Sequence, residues 1–226
     1  MPGRSSSTWP ASTADRSPSG APPTVAMSGC ARRWYTGARC AYRMALDHPH
    51  KVRKLAVLDI IPTLEAFRRA DKAFGLGYWH WYFLAQPAPV PERLVAARPD
   101  YFLLRRSQPD GGLPAYFSPE AYADYRRCFT EETIHAICED YRAAATIDCD
   151  HDEADYRRRK IACPLLALWG RRAQLERWYD VPAIWRDWAA DVRGQAIDCG
   201  HYLAEEAPEE TCTALREFFA AGDDAA

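Results

Sequence analysis

No apolar run in this 226-residue sequence approaches the roughly 18 to 20 residues that a membrane-spanning helix needs, because Arg, Asp or Pro interrupts each one. Basic excess is missing too: 29 basic against 31 acidic side chains leave a formal charge of −2, which argues against a nucleic-acid partner. There is no C-x-x-C pair among the eight cysteines, whose irregular spacing suits small apolar residues better than a disulfide framework or a metal cluster. The N-terminus has no apolar core of a secretory signal, so reduced thiols in a cytoplasmic setting are expected. A Gly-rich phosphate loop and a dinucleotide fingerprint are likewise absent. What is present is 48% hydrophobic and 12% aromatic residues, the composition of a globular chain that can bury a core.

Residues 1–35 stand apart, rich in Ser, Pro, Ala and Arg with Asp15 as their one carboxylate. They are expected to be disordered or aberrant; the strand-like piece from Thr24 to Ser28 is too short to pair stably unaided. From Gly37 the texture is dense and periodic. Ala38 to Leu46 predicts a helix. The run from Lys54 to Pro62 predicts a strand buried on both faces, as in a parallel sheet. Residues 64–160 carry short helical patterns: Leu64 to Phe74, Tyr78 to Ala85, Pro91 to Ala97, Pro119 to Phe129 and Glu131 to Ala145. A second buried strand follows at Cys163 to Gly170, a helix at Val181 to Ala190, a third strand at Gln195 to Cys199, and a last helix after Ala207. The order predicts an α/β core over 36–63 and 161–226, an incomplete parallel sheet, with a helical cap inserted over 64–160.

In open α/β sheets chemistry sits beyond the carboxyl ends of strands. Asp59 ends the first buried strand and His201 follows the third after a glycine, and a buried carboxylate beside an imidazole holds one tautomer and stabilises the charged form. Each alone also reads as a capping residue or a loop histidine. Asp59 before His201 fits the acid-then-histidine order of α/β-hydrolases. After Gly170 come Arg171, Arg172, Ala173 and Gln174, so no carboxylate stands there and the acid role falls to Asp59.

The stretches GARCAYRMALDHP (37–49), KLAVLDIIPT (54–63), YWHWYFLAQPAPVPERL (78–94), CEDYRA (138–143), LLALWG (165–170) and CGHYLAEEAPEET (199–211) resemble the haloacetate (fluoroacetate) dehalogenases, a group of α/β-hydrolases. The resemblance runs from Gly37 to near the C-terminus. It implies hydrolysis of a carbon–halogen bond to glycolate and halide through an Asp-ester, with no metal and no cofactor and a small haloacid as substrate. His201 matches the water-activating base and Asp59 its acid partner. His80, Trp81 and Tyr141 match the halide pocket, where preorganised N–H and O–H donors meet a leaving anion. Arg39 matches one of two arginines on the substrate carboxylate, a bidentate task. The elbow that carries the nucleophilic Asp in that family reads Arg33, Trp34, Tyr35, Thr36, Gly37, Ala38, Arg39 here, so Tyr35 stands in the nucleophile's place and Thr36 in that of the first clamp arginine. A phenol is mostly protonated at neutral pH. The chain as written is therefore expected to be inactive. The abrupt onset of the match predicts a frameshift or mis-assigned start, with an Asp-Arg-Gly elbow encoded upstream in another frame.

Two alternatives remain at this point: a soluble epoxide hydrolase-like enzyme, and a noncatalytic truncated fragment or binding module. In the latter an open edge on the first core strand invites homodimerisation or aggregation. The acidic group Asp148, Asp150, His151, Asp152 and Asp155 reads as a solvated cap edge rather than a metal site.

Overall fold

The computed structural model describes residues 25–26, 36–104 and 112–221. The expectation for residues 1–35 thus lies outside the described residues, apart from the two-residue strand β1 (Val25–Ala26). Then come α1 (Thr36–Asp47) and β2 (Leu55–Leu58). Among the described residues eight helices follow without a strand: α2 (Thr63–Arg68), α3 (Lys72–Gly77), α4 (Trp79–Leu84), α5 (Val90–Ala97), α6 (Pro99–Leu104), α7 (Pro119–Cys128), α8 (Glu131–Ala144) and α9 (Ile147–Asp155). The chain returns through β3 (Leu165–Gly170), α10 (Gln174–Trp178), α11 (Val181–Trp188), β4 (Val192–Ile197), α12 (Leu203–Glu206) and α13 (Pro208–Ala220). The architecture is a parallel sheet with helices on both faces and a helical insert between β2 and β3, as expected from the sequence.

The sheet is parallel throughout, in the order β1-β2-β3-β4. Side chains alternate across it. Leu55, Val57, Leu165, Ala167 and Trp169 pack with α1 and α11, while Ala56, Leu166 and Leu168 pack with α13. Because both faces are covered, β2 and β3 read as unbroken apolar runs. The indoles of Trp185 and Trp188, both fully buried, anchor α11 beneath the sheet. Their ring N–H groups donate to the Ile60 carbonyl (3.1 Å) and to Glu65 (3.4 Å). Lys54 reaches across to accept the end of α13, donating to the carbonyls of Phe218 (3.1 Å), Phe219 (2.8 Å) and Ala221 (2.5 Å). A cation there also opposes the negative end of the helix dipole.

Three differences from the sequence reading have physical causes. First, the expected open edge of β2 is covered over two residues, Val25 pairing with Leu55 and Ala26 with Ala56. These two residues pair with a strand whose other edge is held by β3. Second, the third strand begins earlier, at Val192, and its residues Arg193, Gly194 and Gln195 are exposed, the pattern of an edge strand that hides the apolar signature. Third, the acidic group is a solvated edge only in part: Asp150 and His151 are exposed, whereas Asp152 and Asp155 are not. It forms α9, with Asp152 fully buried and Asp155 nearly so. The Tyr42 hydroxyl donates to Asp152 at 2.7 Å, and the Leu64 N–H and Arg43 guanidinium each donate to it at 3.2 Å. Arg43 also pairs with Asp47 and Asp155. A buried carboxylate is tolerated only when so many donors face it. Burial still pushes the Asp152 carboxyl up, against the pull of those donors. The network ties α1 to α9 and α2, joining core to insert.

Among the described residues no helix is long and apolar enough to cross a membrane.

Candidate active site

Asp59 is positioned by the end of β2. Its N–H donates to the Leu168 carbonyl at 2.7 Å, the last rung of the β2–β3 ladder, and its backbone then turns to φ 51°. Asp is one of the few residues that enter this left-handed region at modest cost, about 1 to 2 kcal/mol. The turn points the carboxylate across the strand ends. One oxygen accepts the Gly170 N–H at 3.0 Å; the other is hydrogen-bonded to Nδ1 of His201. With Asp59 only 2% exposed, both oxygens are held by donors and neither by bulk solvent. A carboxylate on Nδ1 places the proton there and leaves Nε2 as the basic nitrogen.

Gly170 permits this meeting. A Cβ on it would lie 1.9 Å from the Gly200 carbonyl oxygen, so the end of β3 and the loop before His201 touch backbone to backbone. In the sequence Gly170 is marked only as the residue that ends a buried apolar strand.

Arg39, on α1, is 7% exposed. Its guanidinium carbon lies 5.2 Å from the ring centre of Trp81 and 4.8 Å from that of Tyr141, a cation packed against two aromatic rings that themselves meet edge to face. Both terminal nitrogens are buried, and among the described residues neither has a hydrogen-bond partner. Two cation–π contacts contribute on the order of 1 to 4 kcal/mol together, yet they satisfy none of those N–H donors. Asp148 feels the same charge: burial raises its carboxyl and Arg39 pulls it down.

Arg39, Asp59, Trp81 and His201 line one pocket, together with Ile60, Ile61, Ala66, Phe74, Tyr78, Leu175 and Tyr179, around ≈ 460 Å³ of free space partly open to solvent. It is an apolar cleft with a few convergent polar groups, the usual form of a small-molecule site. Tyr179, unremarked in the sequence, has its phenol pushed up to about 12, chiefly by burial. His80 and Tyr141 are not part of that lining. His80, 2% exposed on α4, stands 5.9 Å ring to ring from Tyr141, and Trp81 stands 5.7 Å from the same ring. The three aromatic positions thus form one cluster on α4 and α8, against which Arg39 packs. Tyr35 lies outside the described residues, as does the side chain of Thr36.

No family model matches the chain. Over 184 residues it is 40% identical to a fluoroacetate dehalogenase of Burkholderia sp, covering 80% of this chain and 60% of that one. It is 27% identical over 192 residues to a soluble epoxide hydrolase of Corynebacterium sp. (strain C12), covering 81% and 64%. Among solved structures, a provisionally assigned α/β-hydrolase from Nostoc sp PCC 7120 superposes with a TM-score of 0.78 at 52% identity, covering 82% and 64%. The chain therefore spans 60% to 64% of the length of these three relatives.

Proposed function

We propose that this chain, an α/β-hydrolase in fold and a homologue of the Burkholderia fluoroacetate dehalogenase, carries the water-activating pair and the anion-binding side of a 2-haloacid hydrolase, and that as written it does not turn over. The observation that carries the reading is the Arg39 guanidinium, buried with its terminal nitrogens unpartnered in the same pocket as His201 and Asp59. An unsatisfied buried cation calls for an anionic partner, and a small carboxylate matches its fork. A neutral epoxide would leave those donors unmet, which favours the haloacid over the epoxide reading.

In this reaction a carboxylate oxygen displaces halide from the carbon next to the substrate carboxyl, forming an ester. The indole N–H of Trp81, which lines the pocket, stabilises the departing anion, with Tyr141 and, against it, His80 supporting that ring. Nε2 of His201 then takes a proton from water as that water attacks the ester carbonyl, glycolate leaves, and the enzyme carboxylate is restored; Asp59 stabilises the imidazolium. The attacking carboxylate is the missing part, since the matching position is Tyr35. A protonated phenol is a poor nucleophile toward carbon.

The test is fluoride release from fluoroacetate. The chain as given is expected to release none above a His201→Ala control, and the Tyr35→Asp, Thr36→Arg double variant to release it at least tenfold above that control. Turnover by the unsubstituted chain that His201→Ala abolishes would overturn the inactivity. Hydrolysis of styrene oxide but not fluoroacetate by the double variant would overturn the substrate class.

A further inference from the structure

His201 rides on residues 198–202, which carry no helix or strand between β4 and α12. A hydrogen bond to Asp59 alone does not hold an imidazole in a loop, because the loop's backbone must also be fixed. Its fixing group is Glu206, at the end of α12. One oxygen of the Glu206 carboxylate accepts the Gly200 N–H at 2.6 Å and the other accepts the Tyr202 N–H at 3.1 Å. The carboxylate straddles His201, bonded to the amide on either side of it. Glycine at 200 is what makes room: a Cβ there would sit 2.7 and 2.8 Å from the two carboxylate oxygens.

The surroundings brace the same segment. Gly170 presses on the Gly200 carbonyl from the sheet side. From the helical insert, Tyr116 stacks on Tyr202 at 5.9 Å, Phe117 meets it edge-on at 5.3 Å, and the Tyr125 hydroxyl donates to Glu205 at 2.5 Å. Cys199 also registers the carboxylates, its thiol pushed up to about 12 by burial first and then by Glu206 and Asp59.

We infer that Glu206 is a positioning residue for the catalytic base: by clamping the amides of Gly200 and Tyr202 it aims the imidazole of His201 at Asp59, without itself touching substrate. This rests on reading His201 and Asp59 as the water-activating pair, but the measurement that tests it needs no turnover. Proton and nitrogen NMR on the full chain reads two things: exchange of the Gly200 and Tyr202 amides, and the low-field Nδ1 proton of His201.

With Glu206 in place, both amides are expected to exchange at least about tenfold more slowly than in an unfolded chain, the scale of a charge-assisted hydrogen bond. In Glu206→Ala that protection and the low-field His201 proton are lost, while the Trp188 indole proton stays. In Glu206→Gln one of the two amides keeps its acceptor and the His201 signal is weakened rather than lost. A Glu206→Ala chain that keeps its Trp188 signal with the His201 proton unchanged overturns the proposal. So do Gly200 and Tyr202 amides that exchange at unfolded-chain rates in the unsubstituted protein, a result that stands even if no variant folds. Failure of the fluoride assay, by contrast, leaves these signals untouched and bears only on the reaction.

Discussion

His201 and Asp59, 142 residues apart, share a hydrogen bond from the imidazole Nδ1 to a carboxylate oxygen whose twin is held by the Gly170 amide. The carboxylate thus needs acceptor character at both oxygens, which Asn cannot supply. In a chain carrying Tyr35→Asp and Thr36→Arg, Asp59→Asn is expected to slow ester hydrolysis by about 10³- to 10⁴-fold, the scale seen when a triad acid is lost. Ester formation should survive, so intact mass spectrometry after fluoroacetate should show one added carboxymethyl group. Rapid turnover with no trapped ester would show that Asp59 does not serve His201.

Backbone contact at Gly170 makes a second expectation. Gly170→Ala places a methyl group 1.9 Å from the Gly200 carbonyl oxygen, and backbone cannot rotate away as a side chain can. Overpacking of this kind costs about 1 to 3 kcal/mol, and here it also pushes the His201 loop off Asp59. Urea denaturation should show the destabilisation, and NMR should show the low-field His201 proton weakened even where the variant is folded. A Gly170→Ala chain as stable as the parent would mean that the two backbones lie farther apart.

Thiol chemistry supplies the third. Cys40 and Cys212 are exposed and should react first with an aromatic disulfide reagent at pH 8; Cys138 and Cys199 are buried and should react only on unfolding. Burial, first among the causes, holds the thiols of Cys138 and Cys199 up at about 12 and that of Cys149 at about 11, from 9.0. The folded chain therefore keeps protons that the unfolded chain has released, so stability falls as pH rises from about 9 towards 12. Denaturation midpoints that stay level across that window would contradict the burial of these thiols.

Much of the site was legible because its carriers break local patterns. Asp59 interrupts an apolar strand, His201 follows a glycine after another, and the aromatic run around His80 and Trp81 is too dense for an ordinary helix surface. Helices α6 and α9 were not legible as helices. The first has only six residues, and the second is written in Asp, His and Glu, residues whose burial no periodicity announces. Asp152 looked solvated because its compensating partners, Tyr42, Arg43 and the Leu64 amide, lie 88 to 110 residues away. Glu206 looked like one acid among several in the Glu205, Glu206, Glu209, Glu210 group; only the closeness of Gly200 singles it out.

By itself the sequence determined which residues could carry chemistry and which segments could be buried, since periodicity, strand-ending polar groups and glycines are local properties of the chain. Tertiary structure alone decided that Asp59 meets His201, that Arg39 packs on Trp81 and Tyr141 with no hydrogen-bond partner for its terminal nitrogens among the described residues, and that Glu206 grips the amides on either side of His201. Those contacts join residues from separate strands and helices, and their energies exist only once the sheet has brought the strand ends together beside the insert.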